Sequence, residues 1–85
     1  MSRPPGHRFP VAPLLAVSEA RERGLSHLAV LISHSPFRSH EWNAVHRRLA
    51  PGNGGLTVGL ADRYAMALGF HPMEVWGDEW LEGAA

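Results

Sequence analysis

Proline and glycine residues divide this chain of 85 residues into short segments, which limits the folds that it can adopt. Gly24, Pro36 and the loop at 51–55 separate the four main segments. Gly69 and Pro72 end the fourth. Within each segment, apolar residues recur at the three- and four-residue spacing of an amphipathic helix. We therefore predict an all-α fold, a compact domain of four to five helices.

The first predicted helix covers residues 11–23, with Pro13 in its first turn, where the missing amide hydrogen costs nothing. Gly24 ends this helix because glycine adopts the left-handed conformation that closes a helix. Ser26 is a suitable N-cap for a second helix, since its hydroxyl can accept hydrogen bonds from first-turn amides. The buried stripe of that second helix consists of Leu28, Ala29, Leu31 and Ile32.

A third helix is predicted over residues 36–49, with Ser35 as its N-cap. Trp42, Val45 and Leu49 lie at positions i, i+3 and i+7 of this helix, so they face inward together. The outward positions are polar or basic: Ser39, His40, Asn43, His46 and Arg47, with Arg38 and Arg48 at the edges.

The C-terminal part of the chain contains a fourth helix and a final turn. Thr57 is a suitable N-cap for the fourth helix, and Gly69 ends it. Pro72 opens a short turn in which Trp76 closes the core, and residues 83–85 are expected to fray. The apolar face of the fourth helix consists of Leu60, Ala61, Tyr64, Ala65 and Leu68.

Residues 1–10 are predicted to form a flexible arm because Pro4, Pro5 and Gly6 do not favour a helix, so the domain covers 11–82. The chain has no cysteine, which excludes a disulfide scaffold and a thiolate metal site. Its N-terminus lacks the apolar core of a signal peptide, and no apolar run approaches membrane-spanning length. We therefore expect a cytoplasmic protein.

The net charge is zero, but the charges are unevenly distributed along the chain. Residues 1–48 carry seven arginines against three glutamates, a net charge of +4. Residues 49–85 carry one arginine against five acidic residues, a net charge of −4. A chain polarised in this way can present a basic face to phosphate while its acidic end faces away.

The polar side of the third helix has the chemistry that the DNA major groove requires. The groove admits one α-helix, and forked side chains such as arginine and asparagine read its base edges. In this interpretation Asn43 pairs with adenine, and Arg47 or Arg38 pairs with guanine. Arg48 and Ser35 are better placed to contact phosphates, which fix the register without reading the sequence.

The C-terminal half resembles a known family. The residues concerned are Leu56-Thr57, the run ADRYAMALGFHP at 61–72, and Val75-Trp76. They resemble small helix-turn-helix DNA-binding proteins of actinobacteria and their phages, in which this pattern follows the recognition helix. The resemblance implies a phage repressor or Cro-like fold, with Leu28-Ala29 in the first motif helix. It also implies double-stranded DNA as the partner and transcription regulation as the function.

Two registers of the motif remain open. Ser33 stands where such motifs usually carry the turn glycine, and Ser39 then falls where a branched apolar residue is expected. The alternative register has an insertion in the turn and places Val45 at that apolar position. The DNA-binding residues are therefore expected within 35–48: Ser35, Arg38, Ser39, His40, Asn43, His46, Arg47 and Arg48.

Neither a metal site nor a catalytic site is expected. The chain has six histidines, but no two have the H-x-x-x-H spacing that puts two imidazoles on one helical face. Asp62 and Arg63 are adjacent on a helix and so point in different directions, which favours separate exposed roles. His71, which precedes Pro72, is expected to be a capping or packing residue. We predict no cofactor, no small-molecule substrate and no enzymatic activity.

The acidic C-terminal end carries three large apolar side chains that can form a dimer or partner interface: Trp76, Trp80 and Leu81. Core closure is the simplest role for Trp76, whereas Trp80 lies beyond the last predicted turn, and surface tryptophans often anchor interfaces. A homodimer is expected because helix-turn-helix proteins commonly bind two-fold sites. The alternative function is a protein-interaction module that binds another regulator or a host protein through this end.

Overall fold

A computed structural model of the chain describes residues 7–18, 20–34 and 39–84. The predicted all-α class is confirmed, because these ranges contain helices and no strand. The helices are α1 (Val11–Val17), α2 (Ala20–Ser33), α3 (His40–Leu49), α4 (Val58–Ala67), α5 (Pro72–Trp76) and α6 (Asp78–Ala84), with a short 3₁₀ helix at Pro51–Asn53.

The first predicted helix, 11–23, is wrong in its extent. The chain leaves the helical conformation at Ser18 (φ −110°, ψ 168°), which ends α1, and α2 begins at Ala20. The Ser18 hydroxyl donates to the Leu15 carbonyl at 3.2 Å. A serine that bonds the local backbone in this way offers the chain an alternative to helix continuation. Sequence periodicity could not detect this break because apolar residues continue on both sides of it.

Gly24 interrupts α2, as the sequence predicts. Its φ of 85° and ψ of −177° are non-helical and suit glycine, which has no Cβ to clash with the backbone. Helical geometry resumes directly after Gly24, so Ser26 lies inside the second segment of α2. The prediction that Ser26 caps that segment is therefore wrong, since an N-cap has non-helical φ and ψ.

The start of α3 also differs from the prediction. Ser39 has extended backbone angles (φ −71°, ψ 160°), and its hydroxyl accepts a hydrogen bond of 3.0 Å from the Trp42 amide. Ser39 is therefore the N-cap, and the predicted start of the helix at residue 36 is wrong. Ser35, the cap that the sequence favoured, lies outside the described residues. The predicted end of the helix at Leu49 is confirmed.

The ends of α4 confirm the sequence prediction. The Thr57 hydroxyl accepts a hydrogen bond from the Leu60 amide at 3.4 Å. At the other end, Gly69 has a φ of 89°, and its amide donates to the Met66 carbonyl at 3.0 Å. The Phe70 amide donates to the Ala65 carbonyl at 2.9 Å. This pair of bonds is the Schellman arrangement, which satisfies carbonyls that have no partner within the helix.

His71 caps α5, which confirms one of the two roles that the sequence suggested for it. Its ring Nδ1 accepts a hydrogen bond of 3.0 Å from the Met73 amide. In return, the Glu74 carboxylate accepts a bond of 2.7 Å from the His71 amide. This reciprocal capping box satisfies two backbone donors and fixes the entry into α5.

The segment before α1 is part of the core, and the predicted flexible arm is wrong for residues 7–10. Phe9 is fully buried, and its backbone exchanges two hydrogen bonds of 2.8 Å with Leu56. Its ring packs against Trp76 and Trp80, at centroid distances of 5.4 and 5.1 Å. Burial of the phenylalanine ring favours this position of the segment, because it removes a large apolar surface from water. Residues 1–6 lie outside the described part.

Helix α6 extends through Gly83, which was expected to fray. Gly83 lies against His7 and Phe9, so closely that a Cβ at this position would lie 2.7 Å from the Phe9 Cζ. The last helix therefore packs on the first described residues of the chain. The rest of the core comes from the other five helices and from Leu56, which precedes the Thr57 cap of α4. It includes Leu14, Leu28, Ala29, Ile32, Val45, Leu49, Leu56, Ala61, Tyr64, Ala65 and Val75.

Candidate nucleic-acid interface

Helix α3 is fixed in the domain by one apolar side. Val45 and Leu49 are buried, and the half-buried Trp42 packs against the same core. The largest inter-helix contact in the described part of the chain is between α2 and α3. The inward positions predicted from the sequence are therefore confirmed, and they determine which side of α3 faces solvent.

The solvent side of α3 carries His40, Asn43 and Arg47, which are all exposed. These residues lie at i, i+3 and i+7, so they form one row along the helix. Ten helical residues extend about 15 Å, and the three side chains cover most of that length. An amide and a guanidinium in such a row provide forked hydrogen-bonding groups on a helix of fixed orientation.

His46, which was predicted to face DNA, is half-buried on one flank of α3. Its ring stacks on Trp42, with a centroid distance of 4.7 Å and an interplanar angle of 27°. Its Nε2 lies 3.4 Å from the Ser26 hydroxyl, and the Trp42 indole N–H donates to the Ser26 carbonyl at 3.4 Å. This cluster ties α3 to α2 and gives His46 a partner inside the domain.

Arg48 lies on the opposite flank, beside α4. It is half-buried, and its Nη1 donates a hydrogen bond of 3.4 Å to the hydroxyl of Tyr64. Tyr64 is only 3% exposed, and its hydroxyl contacts the side chain of Arg48 on α3. The contact orients the guanidinium, while the half-exposed side chain can still reach a ligand.

The remaining predicted DNA-binding residues have other positions. Ser39 caps α3, so its hydroxyl is already used by the Trp42 amide. Ser35 and Arg38 lie outside the described residues. Within the region 35–48, the structure thus places His40, Asn43 and Arg47 in one exposed row. His46 lies on one side of this row and Arg48 on the other.

Two residues that position this surface were predicted from the sequence in other roles, Ser26 as a helix cap and Tyr64 on the apolar side of α4. Ser26 orients His46, and Tyr64 orients Arg48. The tyrosine had a usable signal: it lies on the apolar side of α4, and a buried tyrosine hydroxyl usually finds a hydrogen-bond partner. Nothing in the local pattern around Ser26 indicates its partner, which is 20 residues away in sequence.

Glu41 is an exposed acidic residue at the start of α3, next to the row. It lies in the first turn of the helix, where the helix dipole favours a negative charge. The same dipole favours positive charge at the C-terminal end of the helix, and the last turn of α3 carries three basic residues there: His46, Arg47 and Arg48. The charge of α3 therefore increases from its N-terminus to its C-terminus, and the guanidinium groups lie at the C-terminal end.

The C-terminal tryptophans do not form the exposed patch that was predicted as an interface. Trp76 is 6% exposed, and its indole N–H donates to the Pro10 carbonyl at 2.8 Å. Its assignment to a dimer or partner interface is therefore wrong, and core closure is its role. Trp80 is half-buried against Phe9, and Leu81 is 54% exposed. Core closure is one of the roles that the sequence suggests for Trp76, but its contacts with Phe9 and Pro10 join residues that are distant in sequence and leave no local pattern.

Within residues 7–18, 20–34 and 39–84, no three His, Asp or Glu side chains come together in a group that could hold a metal ion. No helix in the same part of the chain is long and apolar enough to cross a membrane. Comparison of the chain with protein-family models, with curated proteins and with solved structures found no match.

Proposed function

We propose that this chain is a sequence-selective DNA-binding protein in which α3 enters the major groove. The observation that carries the proposal is the exposed row His40, Asn43 and Arg47 on a helix whose opposite side is anchored in the core. A recognition helix must present base-reading groups from a rigid support, because misplaced groups lose their hydrogen bonds to the base edges.

In this proposal the second segment of α2 and α3 form a helix-turn-helix unit of the phage repressor or Cro-like type. Asn43 reads adenine through its amide, and Arg47 reads guanine through two guanidinium donors. Arg48 contacts a phosphate, and His40 contributes a further hydrogen-bonding group at the start of the helix. The proposed function is regulation of transcription, as the resemblance of residues 56–76 implies.

The charge distribution supports the same function. The chain as a whole is neutral, but the last turn of α3 carries two arginines, whereas α5 and α6 carry four acidic residues. Opposite charges on different elements of a small domain can orient it during approach to a polyanion. A basic α3 and an acidic C-terminal end therefore favour the approach in which α3 meets DNA.

Selection from a pool of random-sequence duplexes tests the proposal. The protein is bound to the pool at low salt and then at physiological salt, and the recovered DNA is sequenced. We expect an enriched motif that survives at physiological salt, because base contacts add to the salt-sensitive phosphate contacts. A two-fold symmetric motif would support the homodimer as well.

Asn43→Ala is the matched variant for this selection, and Glu82→Ala, an exposed residue of α6, is its control. Loss of Asn43 is expected to relax the motif at one base pair, whereas the control leaves the motif unchanged. Absence of binding at both salt concentrations contradicts the proposal and favours a protein-interaction module. A motif that is identical in the wild-type protein and in Asn43→Ala removes Asn43 from the reading surface.

A further inference from the structure

The structure contains a second basic feature, a pocket of about 150 Å³ between α2, α3 and α4. We call it the α3–α4 pocket. Arg48 from α3 and Arg63 from α4 line it, together with Tyr64. Ser33, at the end of α2, and Glu41 also contribute to its wall. The pocket thus combines two guanidinium groups and one carboxylate, a net charge of +1.

The hydrogen-bonding groups of this pocket suit an oxyanion. Arg48 Nη1 donates to the Tyr64 hydroxyl at 3.4 Å. A phenol oxygen that accepts one hydrogen bond still has its own proton to donate. Guanidinium groups match the geometry of a phosphate because two parallel N–H donors can reach two of its oxygens. Arg63 is exposed, so its side chain is available to a ligand that approaches from solvent.

The position of the pocket relates it to the exposed row of α3. Arg48 follows Arg47 by one residue, so it lies about 100° around the helix from the row. The pocket therefore opens along one flank of α3, beside the row and not behind it. A helix in the major groove, which is about 12 Å wide, has a sugar-phosphate backbone along each flank. A phosphate group would then lie next to the α3–α4 pocket.

We infer that the α3–α4 pocket binds a phosphate group of the DNA backbone, held between Arg48 and Arg63. This inference rests on the proposed function, since α3 must lie in the groove for the phosphate to reach the pocket. It adds Arg63, a residue of α4, to the contact surface. It also gives Tyr64 a positioning role, because its hydroxyl fixes the Arg48 guanidinium.

Binding to a labelled random-sequence duplex, followed by fluorescence anisotropy over a series of salt concentrations, tests the inference. The variants are Arg63→Gln and Arg48→Gln, and the matched control is Arg21→Gln, an exposed arginine of α2 outside the pocket. Each lost phosphate contact is expected to reduce the slope of log K against log salt by about 0.9. Thermal unfolding of each variant checks that it is folded.

A second arm of the experiment follows the arginine side-chain NMR signals of the protein in two separate titrations, one with inorganic phosphate alone and one with the duplex. It separates a backbone phosphate from a free phosphate ion as the source of the ligand. For a pocket that is specific to DNA, we expect the signals of Arg48 and Arg63 to shift on duplex binding and to show no saturation with the ion alone.

Each outcome decides between the two proposals. If Arg48→Gln and Arg63→Gln each reduce the slope of log K against log salt by more than Arg21→Gln does, the phosphate contact is supported. Duplex binding whose slope changes no more in the pocket variants than in the control overturns the contact and leaves the proposed function intact. Saturation by inorganic phosphate without duplex binding makes a free phosphate the ligand and overturns the proposed function. If the wild-type protein binds neither the duplex nor inorganic phosphate, the phosphate contact and the proposed function are both overturned.

Discussion

The indole nitrogen of Trp76 donates a hydrogen bond of 2.8 Å to the backbone carbonyl of Pro10, 66 residues earlier in the chain. The bond joins α5 to the segment before α1, and the Phe9 ring packs against the same indole. The two ends of the described chain are therefore held together by a tryptophan that the sequence also suggested for an interface.

Trp76→Phe is expected to lower the free energy of unfolding by about 1–3 kcal/mol, because it removes the hydrogen bond to Pro10 and part of an indole that is only 6% exposed. Urea denaturation followed by circular dichroism measures the change. Trp80→Phe is the control, since it keeps an aromatic ring beside Phe9 and does not touch the Pro10 bond. Equal losses in the two variants would show that ring size, and not the hydrogen bond, determines the effect.

Ser39→Ala is expected to destabilise the protein by about 1 kcal/mol, because the first turn of α3 loses its capping hydroxyl. Ser35→Ala is the matched comparison, since the sequence predicted that residue as the cap. Denaturant unfolding of the two variants distinguishes the two helix starts. A larger loss in Ser35→Ala would contradict a helix that begins at His40.

Two glycine substitutions are expected to have opposite effects on the stability of the folded protein. Gly83→Ala brings a Cβ to 2.7 Å from the Phe9 Cζ, so it should destabilise the packing of α6. Gly59→Ala places a Cβ where no atom lies within 4 Å, on the exposed side of α4. There it should stabilise by about 0.5–1 kcal/mol, because alanine favours the helix and restricts the unfolded chain.

Melting temperatures of the two glycine variants give the comparison directly. A melting temperature for Gly83→Ala equal to that of the wild-type protein would mean that α6 does not pack on Phe9 in solution. Loss of stability in Gly59→Ala would contradict the exposed position of that residue on α4.

Arg47→Ala is expected to cost about 1–3 kcal/mol in binding to the selected DNA site, provided that it reads a base. Its effect should be smaller on unrelated duplexes, because a base contact contributes only at the matching pair. Anisotropy titrations of the selected and a scrambled duplex measure both values. An equal loss on the two duplexes would assign Arg47 to a phosphate, and unchanged affinity would remove it from the interface.

Several features of the site could be predicted because they depend on neighbouring residues. The inward side of α3 follows from the spacing of Trp42, Val45 and Leu49, and its exposed row follows from the same period. The roles of His46 and Arg48 could not be predicted in this way. Their partners, Ser26 and Tyr64, are on other helices, and only the packing of α2 and α4 against α3 brings them into contact.

The sequence by itself determined the helical class, the cap at Thr57 and the glycine end of α4 at Gly69, since each depends on hydrogen bonds within a few residues. For His71 the sequence left a capping and a packing role open, and the structure shows the capping role. The tertiary structure decided where Phe9 lies. A single apolar residue in a polar segment has no periodicity to reveal it, and its burial depends on Leu56, Trp76 and Trp80, which are distant in sequence and meet only in the folded chain.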